Sequence, residues 1–240
     1  MSTGGEPADP HLQLFGPWTA LLTLEGAMYQ AQWMLMLTLS LALPGAADDA
    51  KPIVRTLDGS WTTGARAVDL KLPPGDFTID PATDGRLSAT IDVLCKVRGR
   101  VCDEQADRLS LEAKPRNGRF LLNVAGVPSK MRGGMALRGR IRIPPGIQVA
   151  VDMGVGELEV NSLEGDLDVN LGVGKVSVRM PESAVRFVEM SIGVGDGELV
   201  AAGHDVESRG WLGKRVDWTG KGKSNVRVSL GVGEARIALE

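Results

Sequence analysis

Asp166-Leu167-Asp168-Val169-Asn170-Leu171-Gly172-Val173-Gly174-Lys175-Val176-Ser177-Val178-Arg179-Met180 is the stretch that decides the fold. Apolar residues stand at 167, 169 and 171, then at 176, 178 and 180, with charged or polar residues between them. A period of two describes strands with one buried face and one wet face. A helix needs apolar residues three and four apart, and that spacing is absent here.

The Gly-Val-Gly between the two runs recurs at 154–156, 193–195 and 231–233. Successive copies therefore begin at Gly154, Gly172, Gly193 and Gly231. The last step is about twice the earlier ones, and Gly213 falls near the place of a degenerate copy. The flanks repeat too: Ile147, Val149, Val151 and Met153 precede the first copy, Leu158 and Val160 follow it. Val226, Val228 and Leu230 precede the last, and Ala235, Ile237 and Leu239 follow it. A unit of about 20 residues signals a stacked array, in which one unit cannot bury its apolar face alone. The expected fold is all-β, a stack of short strands with Gly-Val-Gly at the corners.

Glycine weakens a strand interior unless a bulge, a bend or a close backbone approach requires it. A phosphate-cradling loop is the functional alternative, and it fails on the residues. A dinucleotide fingerprint needs a third glycine and a following helix. In a P-loop register, Val169 stands where the first glycine belongs and Val176 intrudes before the hydroxyl of Ser177.

Composition agrees with an all-β repeat: 31 glycines, 43% hydrophobic residues and only 4% aromatic. All 27 Lys and Arg lie at or after Lys51, and only three of the 30 acidic residues (Glu6, Asp9, Glu25) precede Asp48. Residues 48–240 are therefore formally neutral, which argues against nucleic-acid binding. We divide the chain into a leader, 1–47, and one repeat domain, 48–240. Trp33–Leu43 is an apolar run of secretory length, too short for a membrane span, and Pro44-Gly45-Ala46-Ala47 suits a cleavage site. No positive charge precedes it, which fits a true start at Met28 or Met34. The expected product begins at Asp48, is periplasmic or secreted, and keeps no transmembrane anchor. In an exported protein Cys95 and Cys102, the only cysteines, read as one disulfide. Two thiols do not make a metal site, and no cofactor is expected.

Before the repeat, strand-like runs occupy Val68–Leu72, Asp76–Ile79, Leu87–Leu94, Leu109–Glu112, Phe120–Val124 and Leu137–Ile143. Turn chemistry separates them at Pro73-Pro74-Gly75, Asp84-Gly85 and Asn117-Gly118. Together with the Gly-Val-Gly units, the entry Arg140-Ile141-Arg142-Ile143-Pro144-Pro145-Gly146 and the closing Gly220–Leu239 pattern resemble the bacterial putative-adhesin family of exported β-strand repeat proteins. The resemblance covers roughly residues 65–240. It implies a toast-rack β-solenoid in the cell envelope, related to domains at the tail of envelope-stress sensing proteins. It brings no catalytic residue, cofactor or ligand.

Two charge blocks stand out. Eight basic residues and no acid lie between Ala113 and Val151; six acids and no base lie between Asp152 and Asn170. Arg138 and Glu157, Arg140 and Glu159, and Glu157 and Lys175 are each one repeat apart, so the blocks are expected to pair across neighbouring coils. Arg209, Trp211, Lys214, Arg215 and Trp218 form a cation–aromatic group that could take a sugar or an anion. Tryptophans so placed equally cap a core. His204-Asp205 lacks a nucleophile in a recognisable setting and reads as a surface turn. The function expected is a non-enzymatic envelope module, adhesin-like or structural, with an envelope protein or glycan as partner. An envelope-stress accessory that binds a membrane sensor, and a polysaccharide-acting enzyme on a β-helix, are the alternatives.

Overall fold

The computed structural model describes residues 52–96, 99–132, 134–201, 204–207 and 212–240, with 204–207 and 212 described by backbone only. The leader, 1–47, lies outside them, as do Arg209 and Trp211. Seven strands precede the repeat: β1 (Ile53–Trp61), β2 (Ala67–Leu72), β3 (Gly75–Pro81), β4 (Leu87–Cys95), β5 (Ser110–Arg116), β6 (Arg119–Ala125) and β7 (Met135–Ile143). The Gly-Val-Gly copies lie within β8 (Gln148–Asn161), β9 (Leu167–Met180), β10 (Val185–Ala201) and β13 (Ser224–Leu239). Between the last two come β11 (His204–Glu207) and β12 (Leu212–Thr219); one helix, α1 (Arg100–Asp107), follows β4. The described residues are all-β apart from α1 and a short 3-10 turn, and their thirteen strands belong to one hydrogen-bonded sheet.

The strands are longer than the short segments expected, because pairing continues through the glycines. In β8, Val149, Val151 and Met153 are buried, Val155 is exposed, and Leu158 and Val160 are buried again. The inward face passes from Met153 to Leu158, an odd step that simple alternation forbids. The second glycine makes the slip possible: φ is 140° at Gly156, 142° at Gly174, 134° at Gly195 and 140° at Gly233. That backbone region is essentially closed to residues with a Cβ. All four strands slip at the same level, so their register survives it.

Each long strand thus has a first arm and a second arm, and the shorter strands pair with one or the other. Along the first arms the order is β5-β6-β2-β8-β9-β13-β10-β12; along the second it is β1-β4-β7-β3-β8-β9-β13-β10-β11. From β2 and β3 through β10 the neighbours run parallel. β2 and β3 form a further rung: Leu72 pairs Met153 and Gly75 pairs Gly156, so Pro73-Pro74 takes the place of Gly154-Val155. What reads as a turn in the sequence is the same junction without the tripeptide.

The last strand in the chain is not last in space. β13 inserts between β9 and β10, and its Gly233 stands between Gly174 and Gly195. The double-length step from Gly193 to Gly231 is the detour through β11 and β12, which run antiparallel to β10 and close that side. Gly213 does lie at junction level, since Leu212 pairs Val194 and Lys214 pairs Ile192, but on a reversed strand.

Inward side chains stack in rows along the core. One row reads Phe77, Leu158, Val176, Ala235, Gly197, tapering toward the β11 side. At its other end Gly139 makes room for Phe77, whose ring carbon Cδ1 lies 2.5 Å from where a Cβ would stand. α1 buries Cys102 and Ala106, one turn apart on one face. Arg55 Nη1 on β1 donates to the Ala106 carbonyl at 2.7 Å, a cation at the helix C-terminus.

Candidate interaction surface

Outward side chains line up across the strands as the inward ones do. On the second arms the row Arg138, Asp76, Glu157, Lys175, Glu234, Asp196 crosses from β7 to β10. Glu157 and Lys175 are register neighbours, as their spacing predicts. Arg138 and Glu157 are not: β3 lies between them and places Asp76 there, and Thr78 likewise separates Arg140 from Glu159. The expected partners are corrected accordingly, because the one-repeat spacing skips a strand drawn from earlier in the chain. Arg140 instead meets Asp80 at 3.4 Å, and Arg179 bonds Glu159 at 2.5 Å. Lys175 reaches Glu234, and Arg236 reaches Glu198, both at 3.5 Å. These are exposed pairs, each contributing at most about 1 kcal/mol. A shallow depression of ≈ 350 Å³ lies over this face beside Asp76, Glu157 and Arg179.

The outer face of the first arms is different. Nearer the strand starts it is paired: Arg119 with Asp69, and Arg215 and Arg227 with Glu189. Next to the junction runs the row Lys71, Asp152, Asn170, Ser229, Ser191, one residue from each of five adjacent strands. Among the described residues none of these five side chains makes a hydrogen bond or ion pair, whereas Arg215, next in line on β12, is held by Glu189 and Asp217. Just beyond this row on each long strand come the first glycines, 154, 172, 231 and 193, and then Val155, Val173, Val232 and Val194. The four valines are 51%, 47%, 46% and 42% exposed; among the described residues the other exposed large apolar side chains, Ile53 and Val101, stand alone elsewhere in the chain. Two depressions of ≈ 380 and ≈ 510 Å³ open along the glycine row and share Asn170.

This row was legible in part. Each member on a long strand stands two positions before the first glycine of its Gly-Val-Gly. Their spatial adjacency was not legible, because β13 enters out of sequence.

Of the cation–aromatic group, the described members separate onto the two faces of β12. Lys214 points inward, buried, and donates from Nζ to Asp196 Oδ1 at 2.9 Å. Arg215 faces out, and Trp218 packs partly buried against the core. His204 and Asp205 stand on β11 opposite Ala201 and Val200. Cys95 and Cys102 are disulfide-bonded and buried, as the sequence predicts. Among the described residues no three His, Cys, Asp or Glu side chains gather to hold a metal ion, and no helix is long and apolar enough to cross a membrane.

No protein-family model and no curated protein matches the chain. Solved structures do. A putative cell adhesion protein from Clostridium sporogenes is 14% identical, with 78% of this chain and 100% of that one covered and a TM-score of 0.49. The chain resembles bacterial putative adhesins. A putative adhesin from Bacteroides fragilis is 10% identical over 78% of this chain and 98% of its own, with a TM-score of 0.29. One from Parabacteroides distasonis is 12% identical over 76% and 97%, with a TM-score of 0.26.

Proposed function

We propose that the chain is a non-enzymatic, exported β-solenoid of the cell envelope that acts as an adhesin-like interaction module. The observation that carries this reading is the in-register row. Parallel strands whose junctions coincide repeat one outward position at every rung, giving flat surfaces several strands wide. Such surfaces suit an extended partner, and ordered rows of short side chains lose little entropy on contact. The apolar leader run and the disulfide support export, since disulfides persist in oxidising compartments.

Sedimentation of the purified protein with intact bacterial envelopes tests the reading. Saturable co-sedimentation is expected, lost when the protein is thermally unfolded. A protein that stays in the supernatant at every concentration would refute it.

A further inference from the structure

The geometry points to the first-arm trough beside the glycine junction as a binding site for a linear, uncharged glycan, lying across the strands. This deepens the adhesin-like reading and rests on it. Three observations converge. Among the described residues the polar row Lys71, Asp152, Asn170, Ser229, Ser191 makes no side-chain bond, on a face where the neighbouring row holds ion pairs. Polar groups that make no bond inside the protein keep their donors and acceptors for an external one. Toward β10 the row is an amide and two hydroxyls, Asn170, Ser229 and Ser191, uncharged and able both to donate and to accept, as sugar hydroxyls demand. Beside it the floor is bare backbone at Gly172, Gly231 and Gly193, backed by Leu230 and Ile192, and the exposed valines follow. A pyranose chain is amphipathic in the same sense, with a C–H face and hydroxyl edges.

Periodicity selects among polymers. The rungs are about 4.8 Å apart. A pyranose ring in an extended chain spans close to one rung, so successive rings stay in step with successive positions of the row. An extended peptide advances about 3.3 Å per residue, or about 3.1 Å as polyproline, and drifts out of step. A polyanion finds one cation, Lys71, set opposite acidic Asp152, so the two cancel, and Arg215 is already held by Glu189 and Asp217. Five rungs of the row make a trough about 20 Å long, room for four or five rings.

Calorimetric titration of the full chain with cellohexaose, chitohexaose and laminarihexaose, and with the shorter oligomers of each, tests this. At least one series should bind, tightening with length up to about five rings and no further. Asn170→Ala with Ser229→Ala should weaken that binding at least tenfold. Ser177→Ala, on the second arm, should leave it unchanged. Gly-Val-Gly is untouched in these variants, and an unaltered melting temperature shows that the stack is intact. Failure of all three series to bind overturns the proposal, as does binding that ignores Asn170 and Ser229 or the oligomer length. A protein that sediments with envelopes yet binds none of the glycans refutes this site alone. One that does neither refutes the adhesin-like reading as well.

Discussion

Lys214 donates from Nζ to Asp196 Oδ1 at 2.9 Å, and the two side chains differ widely in exposure, 4% against 87%. Lys214 stands opposite Ile192, at the level where β8, β9 and β13 place Met153, Leu171 and Leu230. It is therefore an ammonium at a core position of an edge strand. Inward charges on edges resist the addition of further strands. The bond to Asp196 offsets the burial that this requires.

Asp196→Ala removes the carboxylate that Lys214 reaches and should lower stability by about 1.5–3 kcal/mol, the scale of a hydrogen bond to a charged group. Lys214→Met should cost less, because an apolar group of similar length fills the same space. Urea denaturation measures both. Lys214→Met should also self-associate at high concentration, visible as increased mass in light scattering. A Met variant that is far less stable and strictly monomeric would contradict the edge role.

The glycine junction allows a comparison within one motif. A Cβ on Gly174 would stand 1.8 Å from the Gly156 carbonyl oxygen, at φ 142°; one on Gly172 would stand 2.6 Å from the Gly154 oxygen. A Cβ on Gly154 meets nothing within 4 Å. Gly174→Ala should cost about 2–4 kcal/mol, combining backbone strain with overpacking. Gly172→Val should cost about 1–3 kcal/mol, while Gly154→Ala should cost well under about 1 kcal/mol. Lys175→Ala, whose pair with Glu234 is exposed, should change stability by less than about 0.5 kcal/mol. Equal losses at Gly154 and Gly174 would mean that the glycines serve something other than the close approach of rungs.

Reduction of the Cys95–Cys102 bond, which closes a loop with a sequence separation of 7, should lower stability by about 2–3 kcal/mol in the chain-entropy account. Both sulfurs are buried, so reductant should act slowly on the native protein. Hydrogen exchange after reduction should rise first in α1 and the end of β4. A uniform rise across β8–β10 would place the bond's role elsewhere.

Export predicts a native N-terminus near Asp48, read by mass spectrometry of protein recovered from the producing cell. Intact full-length chain in the cytoplasm would contradict it.

Much of the architecture was legible because alternation and glycine are local signals. The six runs from Val68 to Ile143 all became strands, β2 to β7, with only their ends shifted. β1 was missed: Ile53–Trp61 alternates weakly and carries Asp58 and Gly59. α1 was missed because its short span holds only two buried positions, Cys102 and Ala106, too few for a periodic signal. Adjacency was read correctly for Glu157 and Lys175, consecutive in both chain and stack, although the ion pair of Lys175 goes to Glu234 on its other side; it was read wrongly for Arg138 and Glu157, where a strand from residues 75–81 intervenes. The polar row beside the junction depends on the same long-range order. Asn170 and Ser229 are far apart in the chain yet adjacent in the sheet, and no spacing rule joins them.

The placement of β13 has a consequence for how the chain reaches this state. A chain synthesised from its N-terminus has β8, β9 and β10 in hand before β13 exists, and β9 and β10 must not close on each other. Their facing edges wait for residues 224–239 to fill the slot. Rung-by-rung growth behind the ribosome is thereby ruled out, and folding is completed by a late, long-range parallel pairing of the slow kind. A stop codon near residue 223 would not trim an end from this protein; it would leave a gap through its middle.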